Sequence, residues 1–108
     1  MGIGVRPVTQ IGITREISKI SPTDAFLETL EALPDLGYVI WKTRPLAWLI
    51  IANRELPDGK INATVSFRPS AGSVLSLSLA SDTIAEGPLQ TLALDLAESL
   101  LVRLGLVP

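Results

Sequence analysis

Hydrophobic and polar positions alternate along residues 8–18. Ile11, Ile13 and Ile17 fall on one face, while polar residues and a glycine occupy the other, which is the pattern of a half-buried strand. Arg15 falls on the apolar face, and this marks either the end of the buried stretch or a bulge. The pattern therefore predicts a first strand that carries a charged residue on its buried side.

A helix is predicted to begin at Ser21 and to end near Leu33. Ser21 can accept a hydrogen bond from the first turn, and Pro22 suits the first helical position. Pro34 is expected to end the helix, and Gly37 to allow a tight reversal after it. The predicted buried stripe consists of Phe26, Leu27, Leu30 and Leu33, and the predicted wet stripe of Asp24, Glu28 and Glu31.

A period of two returns after this helix and predicts four more strands. They cover residues 38–43, 46–55, 60–68 and 73–80, and short turns rich in proline and glycine separate them. Residues 46–55 are almost continuously apolar, as is typical of a central strand. We expect these four strands to form an antiparallel meander.

The last periodic segment predicts a second helix from Gly87-Pro88 to about Leu104, with Gly105 as its stop. Its apolar face covers about half of the circumference, which is more than one sheet contact needs. A face this wide predicts either a helix lying deep in a curved sheet or a helix shared with a partner. The face consists of Leu89, Leu92, Ala93, Leu96, Ala97, Leu100, Leu101 and Leu104.

These elements predict one α+β domain over residues 1–108, in the order β-α-β-β-β-β-α, with both helices packed on one face of an antiparallel sheet. No internal repeat, linker or low-complexity tract interrupts it.

The amino-acid composition excludes several classes of function. The 108 residues are 47% hydrophobic with five aromatic side chains, and they include no histidine and no cysteine. Zinc fingers, thiol nucleophiles, Ser-His-Asp triads and the usual haem ligation are thereby excluded, and no cofactor motif is present. A net charge of −2 argues against nucleic-acid binding. The mean hydropathy of +0.42 is high for so small a domain, so we expect something to cover an apolar surplus.

Neither a transmembrane segment nor a signal peptide is expected. The densest apolar run, residues 46–52, has seven residues, against the roughly 20 that a membrane-spanning helix needs. The first residues lack a basic region followed by a long apolar one. The sequence does not select a compartment, because a chain without cysteine suits either redox environment.

Three segments together resemble small bacterial domains, many of them found in lipoproteins. They are Gly12-Ile13-Thr14-Arg15-Glu16-Ile17, the capped start Ser21-Pro22-Thr23-Asp24, and Ala32-Leu33-Pro34-Asp35-Leu36-Gly37-Tyr38-Val39-Ile40. Leu49-Ile50-Ile51-Ala52 stands where such domains have a strand of the form G-L-I-x-A, with Trp48 in place of the common glycine. The resemblance extends to the helix-grip modules of an outer-membrane assembly lipoprotein and to reduced START-type ligand-binding folds. It implies a fold and no catalytic residue, and without the lipoprotein cysteine it does not imply a lipid anchor.

A row of acidic residues on the first helix suggests either a metal site or a solvated face. Asp24, Glu28, Glu31 and Asp35 share one face at helical spacing. A single exposed stripe does not surround a cation, so the solvated face is preferred.

Charge is uneven along the chain. Residues 42–68 carry a net +3, whereas residues 24–35 and 82–103 carry −4 and −3. The sheet face away from the helices is therefore expected to be mildly basic and rich in Ser, Thr and Asn. Such a face serves either to bind an anionic partner or to keep an open sheet soluble.

Five residues are candidates for contact with a partner or a ligand: Trp48, Trp41, Arg15, Leu94 and Leu101. Trp41 and Trp48 lie on neighbouring predicted strands, where a tryptophan pair serves either core packing or an interface. Arg15 is open to two interpretations, a ligand carboxylate held between helices and sheet or an ion pair with Glu16 or Glu98. Leu94 and Leu101 belong to the leucine-rich last helix.

These observations favour a non-enzymatic binding or assembly module that contacts another protein or a second copy of itself through its apolar surplus. The alternative is a small START-like pocket for an apolar ligand between the helices and the sheet, which requires a cavity of at least about 300 Å³. Enzymatic activity ranks third, since no two carboxylates are placed to converge.

Overall fold

The structure is a computed structural model that describes residues 8–105. Its elements follow the predicted β-α-β-β-β-β-α order, with one additional short helical turn. They are β1 (Thr9–Ile17), α1 (Pro22–Asp35), β2 (Val39–Arg44), a 3₁₀ turn (Pro45–Ala47), β3 (Leu49–Leu56), β4 (Gly59–Pro69), β5 (Ser73–Ser81) and α2 (Glu86–Arg103). The α+β class and the antiparallel sheet are confirmed.

The five strands form one antiparallel sheet in the order β1-β5-β4-β3-β2. Strands β2 to β5 are the predicted meander, and β1 returns to pair with β5 along its full length, from Thr9 opposite Ser81 to Ile17 opposite Ser73. Within the described residues, β1 and β2 are therefore the two edges of the sheet. No helix in this part of the chain combines the length and the apolar character needed to cross a membrane.

One face of the sheet carries the hydrophobic core, and both helices pack against it. The predicted alternation in β4 and β5 is confirmed, because Ile61, Val65, Leu75 and Leu79 are all fully buried. Helix α2 lies above β1 and β5, and α1 lies above β2, β3 and β4. From α2 the buried side chains are Leu89, Ala93, Leu96, Ala97 and Leu100.

Helix α1 starts where the sequence predicts but ends two residues later. Ser21 accepts a hydrogen bond from the backbone N–H of Asp24 at 3.1 Å. Pro34 lies inside the last turn and does not end the helix, although it has no N–H to donate to the Leu30 carbonyl one turn earlier. The helix closes with Gly37 at φ +91° and with the N–H of Tyr38 donating to Leu33 O at 3.0 Å, which is a Schellman motif.

The buried stripe of α1 is rotated from the predicted one. Leu27 is 53% exposed, so its assignment to the buried stripe was wrong, and Leu30 is only partly buried. The small residues Ala25 and Ala32 occupy positions on the sheet-facing side, which turns Leu27 towards solvent while Leu33 stays buried. The buried side chains are Ala25, Phe26, Thr29, Ala32 and Leu33.

The predicted strand over 46–55 was wrong at its start. Pro45–Ala47 form a 3₁₀ turn, and the strand begins at Leu49. Leu46 is 99% exposed, so the densest apolar run of the chain begins as a corner before a strand. Trp48 makes this corner in the left-handed region, with φ +48° and ψ +46°. Apolar content alone does not show such a bend, which is the reason for the error.

Candidate functional site: the β1–α2 groove

A groove runs between the first strand and the last helix. It has a volume of about 300 Å³ and is lined by Arg15, Leu94, Ala97, Glu98 and Leu101. We call these five residues the β1–α2 groove. The structure thus brings together three of the five predicted contact residues, Arg15, Leu94 and Leu101, which come from opposite ends of the sequence.

Arg15 reaches the groove because of the register of β1. Its pairing partner in β5 is Leu75, a fully buried residue, so Arg15 lies on the helix-covered side of the sheet. Because β1 is an edge strand, the guanidinium emerges at the rim beside α2 and is solvent-exposed. A bulge is not the cause, since β1 keeps a regular register from Thr9 to Ile17.

Arg15 donates from Nη1 to the carbonyl oxygen of Thr14 at 2.9 Å. Within residues 8–105 the one salt bridge joins Arg103 to Asp35 at 2.9 Å, so Arg15 pairs with neither Glu16 nor Glu98 there. Arg15 and Glu98 therefore line the same groove as opposite charges that are not bonded to each other.

Helix α2 contributes a continuous stripe to the groove. Leu94, Ala97, Glu98 and Leu101 stand at positions i, i+3, i+4 and i+7, which lie on one side of a helix. Leu94 is 43% exposed and Leu101 partly exposed, whereas Ala97 is buried between them. Two leucines seven residues apart with a small residue between them are typical of a helix side that packs against a second helix.

The groove also adjoins an open strand edge. Strand β1 has β5 as its one strand neighbour among the described residues. Backbone groups on the outer side of such a strand are available to a further strand. Proline and lysine are absent from Thr9–Ile17, and the charged residues of this strand are Arg15 and Glu16.

Trp41 lies at a different surface, on the sheet face away from the helices. The register of β2 on β3 shifts between Ile40 and Lys42, so Trp41 stands in a bulge and is 68% exposed. It borders a groove of about 330 Å³, lined also by Ile51, Ala52, Asn53, Lys60 and Asn62. The core-packing alternative is therefore wrong for Trp41.

Trp48 is a structural residue of the corner before β3. Its ring is partly buried against the core, and Nε1 donates to Thr23 Oγ1 at 3.1 Å. Its carbonyl oxygen accepts from the Phe67 N–H at 3.1 Å. These bonds attach the corner to the start of α1 and to β4. Trp48 and Trp41 consequently form no common platform.

A small polar cleft lies between α2 and the start of β2. It holds about 90 Å³ and is bordered by Tyr38, Arg54, Asp95 and Ser99, among others. Burial raises the pKa of the Tyr38 hydroxyl, and the neighbouring Arg54 opposes that rise. The guanidinium carbon of Arg54 lies 5.6 Å from the centre of the Tyr38 ring, which fits a cation–π contact.

The acidic residues of α1 do not converge. Asp24, Glu28, Glu31 and Asp35 are all exposed along the helix, and Asp35 is bonded to Arg103. Across residues 8–105, no group of three or more acidic side chains is placed to hold a metal ion.

The open sheet face carries part of the positive charge that the sequence predicts for it, because Arg54 pairs with the buried Ile61 and lies on the helix-covered side. Lys42, Lys60 and Arg68 fall on this face through the register of β2 to β5, among serine, threonine and asparagine. These cations lie on the opposite side of the sheet from the β1–α2 groove, so they do not contribute to its charge.

Sequence reasoning missed that the groove residues share one place. From the sequence, Glu98 is predicted only as a candidate ion-pair partner of Arg15, and Ala97 only as part of the apolar helix face. The spacing of Leu94, Ala97 and Leu101 is visible there. The position of β1 at the sheet edge is not, because it depends on pairing with the distant strand β5.

No protein-family model and no curated protein sequence matches this chain. The resemblance to lipoprotein-borne and helix-grip domains accordingly stays a prediction.

Proposed function

We propose that this domain is a protein-contact module and that the β1–α2 groove, with the open edge of β1, is its binding surface. The observation that carries the proposal is the coincidence of an unoccupied strand edge, within the described residues, with an exposed leucine stripe on the adjacent helix. A strand edge offers directional backbone bonds to a partner, and the leucines offer apolar area beside it.

The charge pair supports the same assignment. Arg15 and Glu98 border the leucines, so the surface has an apolar middle with polar groups at its side. Protein interfaces have this arrangement, in which charged residues at the rim fix register and orientation. Arginine is also enriched in interfaces relative to the rest of the surface.

A pocket for an apolar ligand has less support. The cleft between α2 and β2 holds about 90 Å³, below the roughly 300 Å³ at which ligand pockets begin. The β1–α2 groove reaches that volume, but it lies at the sheet edge with Arg15, Leu94 and Glu98 exposed along it, so it does not enclose a ligand. The side chains between the helices and the sheet centre, such as Leu33, Ile61, Leu89 and Leu100, are fully buried in one cluster.

Site-specific photo-crosslinking tests the proposal in cells that make the protein. A benzoylphenylalanine replaces Leu94 in one version and Leu46, the most exposed leucine of the described chain, in the control. We expect protein adducts from position 94 well above those from position 46, and their loss when Leu101→Lys is added. Equal adduct formation at the two positions would count decisively against a contact surface at the groove. The mass of each adduct separates a second copy of the chain from any other protein.

A further inference from the structure

We infer that the occupant of the β1–α2 groove is a second copy of the same chain, bound about a twofold axis that is perpendicular to the sheet and passes close to the groove. The two β1 strands then pair antiparallel and join the two sheets into one continuous sheet. This inference rests on the proposed function, because it names the partner of the same surface.

Strand spacing supports the twofold arrangement. Helix α2 lies above β1 and β5. Neighbouring strands are about 4.8 Å apart, and the twofold axis lies midway between the two paired β1 strands. A helix above the middle of the β1–β5 pair is therefore about 5 Å from this axis. The helix of the second copy lies at the same distance on the other side, so the two α2 helices are about 10 Å apart. Helices in contact pack at about 8–10 Å, so pairing of the strands brings the helices into contact as well.

The leucine stripe is self-complementary about this axis. Twofold axes generate interfaces in which residue i contacts residue j and j contacts i. The centre between Leu94 and Leu101 in the sequence lies at Ala97 and Glu98, so an axis near that point places Leu94 of one copy against Leu101 of the other. The buried, small side chain of Ala97 leaves room for close approach at the centre.

The charges are complementary about the same axis. Arg15 and Glu98 border one groove and are not bonded to each other. An axis that passes midway between Arg15 and Glu98 along the strand direction places Arg15 of one copy beside Glu98 of the other, and the reciprocal pair then forms by symmetry. Without the second copy, Leu94 is exposed, Leu101 is partly exposed and, among residues 8–105, the outer edge of β1 has no strand partner.

Charge reversal on purified full-length protein tests the inference. Arg15→Glu leaves only negative charge at the groove, and Glu98→Arg leaves only positive charge. Both side chains are exposed, so both variants should fold, which circular dichroism checks. Sedimentation equilibrium should show a dimer for the natural chain. The dissociation constant of each single variant should be about 10- to 100-fold larger than that of the natural chain.

Mixing the two variants separates contacts between copies from contacts within one. In the mixed dimer, the glutamate introduced at position 15 of one chain faces the arginine introduced at position 98 of the other. The reciprocal pair keeps its natural residues, so both pairs are again opposite in charge. We expect the mixture to associate within about threefold of the natural affinity, and less tightly at high salt.

The matched control mixes Arg68→Glu with Glu28→Arg, two exposed charges outside the groove. Each of these variants should dimerise alone as the natural chain does, and mixing them should change nothing. The control thus separates a contact between specific charges from an effect of net charge.

A natural chain that stays monomeric at about 100 μM overturns the inference, and so does a mixture that associates no better than its components. Neither result touches the proposed function, which the photo-crosslinking experiment decides. Adducts at position 94 that contain only other proteins would refute self-association while supporting a contact surface.

Discussion

At the left-handed corner formed by Trp48, we expect replacement by glycine to destabilise the fold less than replacement by alanine. Trp48 has φ +48° and ψ +46°, a conformation that glycine adopts without strain and that other residues adopt at a cost. Replacing Trp48 with glycine and, separately, with alanine removes the same ring and the same hydrogen bond to Thr23. The difference between the two variants therefore reports the cost of the left-handed conformation and the chain entropy of glycine, without the contribution of the ring.

The magnitude follows from two opposing effects. The left-handed conformation costs a residue with a Cβ atom about 1–2 kcal/mol. Glycine avoids that cost but loses about 0.5–1 kcal/mol more chain entropy on folding. We expect Trp48→Gly to be more stable than Trp48→Ala by about 0.75 kcal/mol, which is the difference between the midpoints of these two ranges. Both should be less stable than the natural chain by about 2–4 kcal/mol, because the half-buried ring is lost.

Urea unfolding followed by far-ultraviolet circular dichroism measures the free energy of unfolding of each variant. All samples are compared at one protein concentration, since self-association contributes to apparent stability. Leu46 provides the control, because it is fully exposed in the adjacent 3₁₀ turn. There Leu46→Gly should be less stable than Leu46→Ala by about 0.5–1 kcal/mol. A Trp48→Ala variant at least as stable as Trp48→Gly would refute the left-handed corner.

Three further predictions concern single groups. Tyr38 is the only tyrosine, so the phenolate absorbance reports its titration alone. The midpoint of that titration should lie above 10.0 in the folded protein and return to 10.0 in urea. Because the folded-state pKa is the higher one, the free energy of unfolding should fall as the pH rises from about 10 through that pKa. Ser73→Ala removes a 2.6 Å hydrogen bond to a backbone carbonyl and should cost about 1–3 kcal/mol in urea unfolding, whereas Ser76→Ala on the open face should cost under about 0.5 kcal/mol. Gly59 has φ +144°, and a Cβ atom added there would meet the Thr83 side chain, so Gly59→Ala should clearly lower the midpoint of thermal unfolding. A Cβ atom at Gly87 meets open space, so Gly87→Ala should leave that midpoint unchanged or raise it.

The elements with a local signal are the ones that the sequence predicts correctly. The alternation in β4 and β5 and the cap at Ser21 depend on residues within one element, and the structure confirms them. The errors lie where tertiary packing decides. Small alanines rotate α1 and expose Leu27, and a backbone corner replaces the first residues of the expected strand. Neither effect has a signature in hydrophobic periodicity.

The candidate site is predictable in part. The sequence marks Arg15 as a charge on an apolar strand face, and the last helix as too apolar for a single contact. What periodicity does not contain is the strand order, because pairing of β1 with β5 joins residues that are distant in the chain. The groove exists only once β1 is placed at the edge beside α2. Its residues can therefore be singled out from the sequence one by one, but only the fold joins them.

Two features of the sequence, the charge of Arg15 on an apolar strand face and the wide apolar face of the last helix, have one physical explanation in the fold. A charge on the apolar side of a strand is costly in the sheet centre, where burial removes it from water. At an edge it reaches solvent, and this is where Arg15 lies. A helix above that edge has one side facing the sheet and another facing outwards beyond it, so its apolar face can be wide without being buried by its own chain. Leu94 and Leu101 border Arg15 on that outward side. The wide helix face and the misplaced arginine are thus two consequences of the same sheet edge, and a partner seated there would cover both.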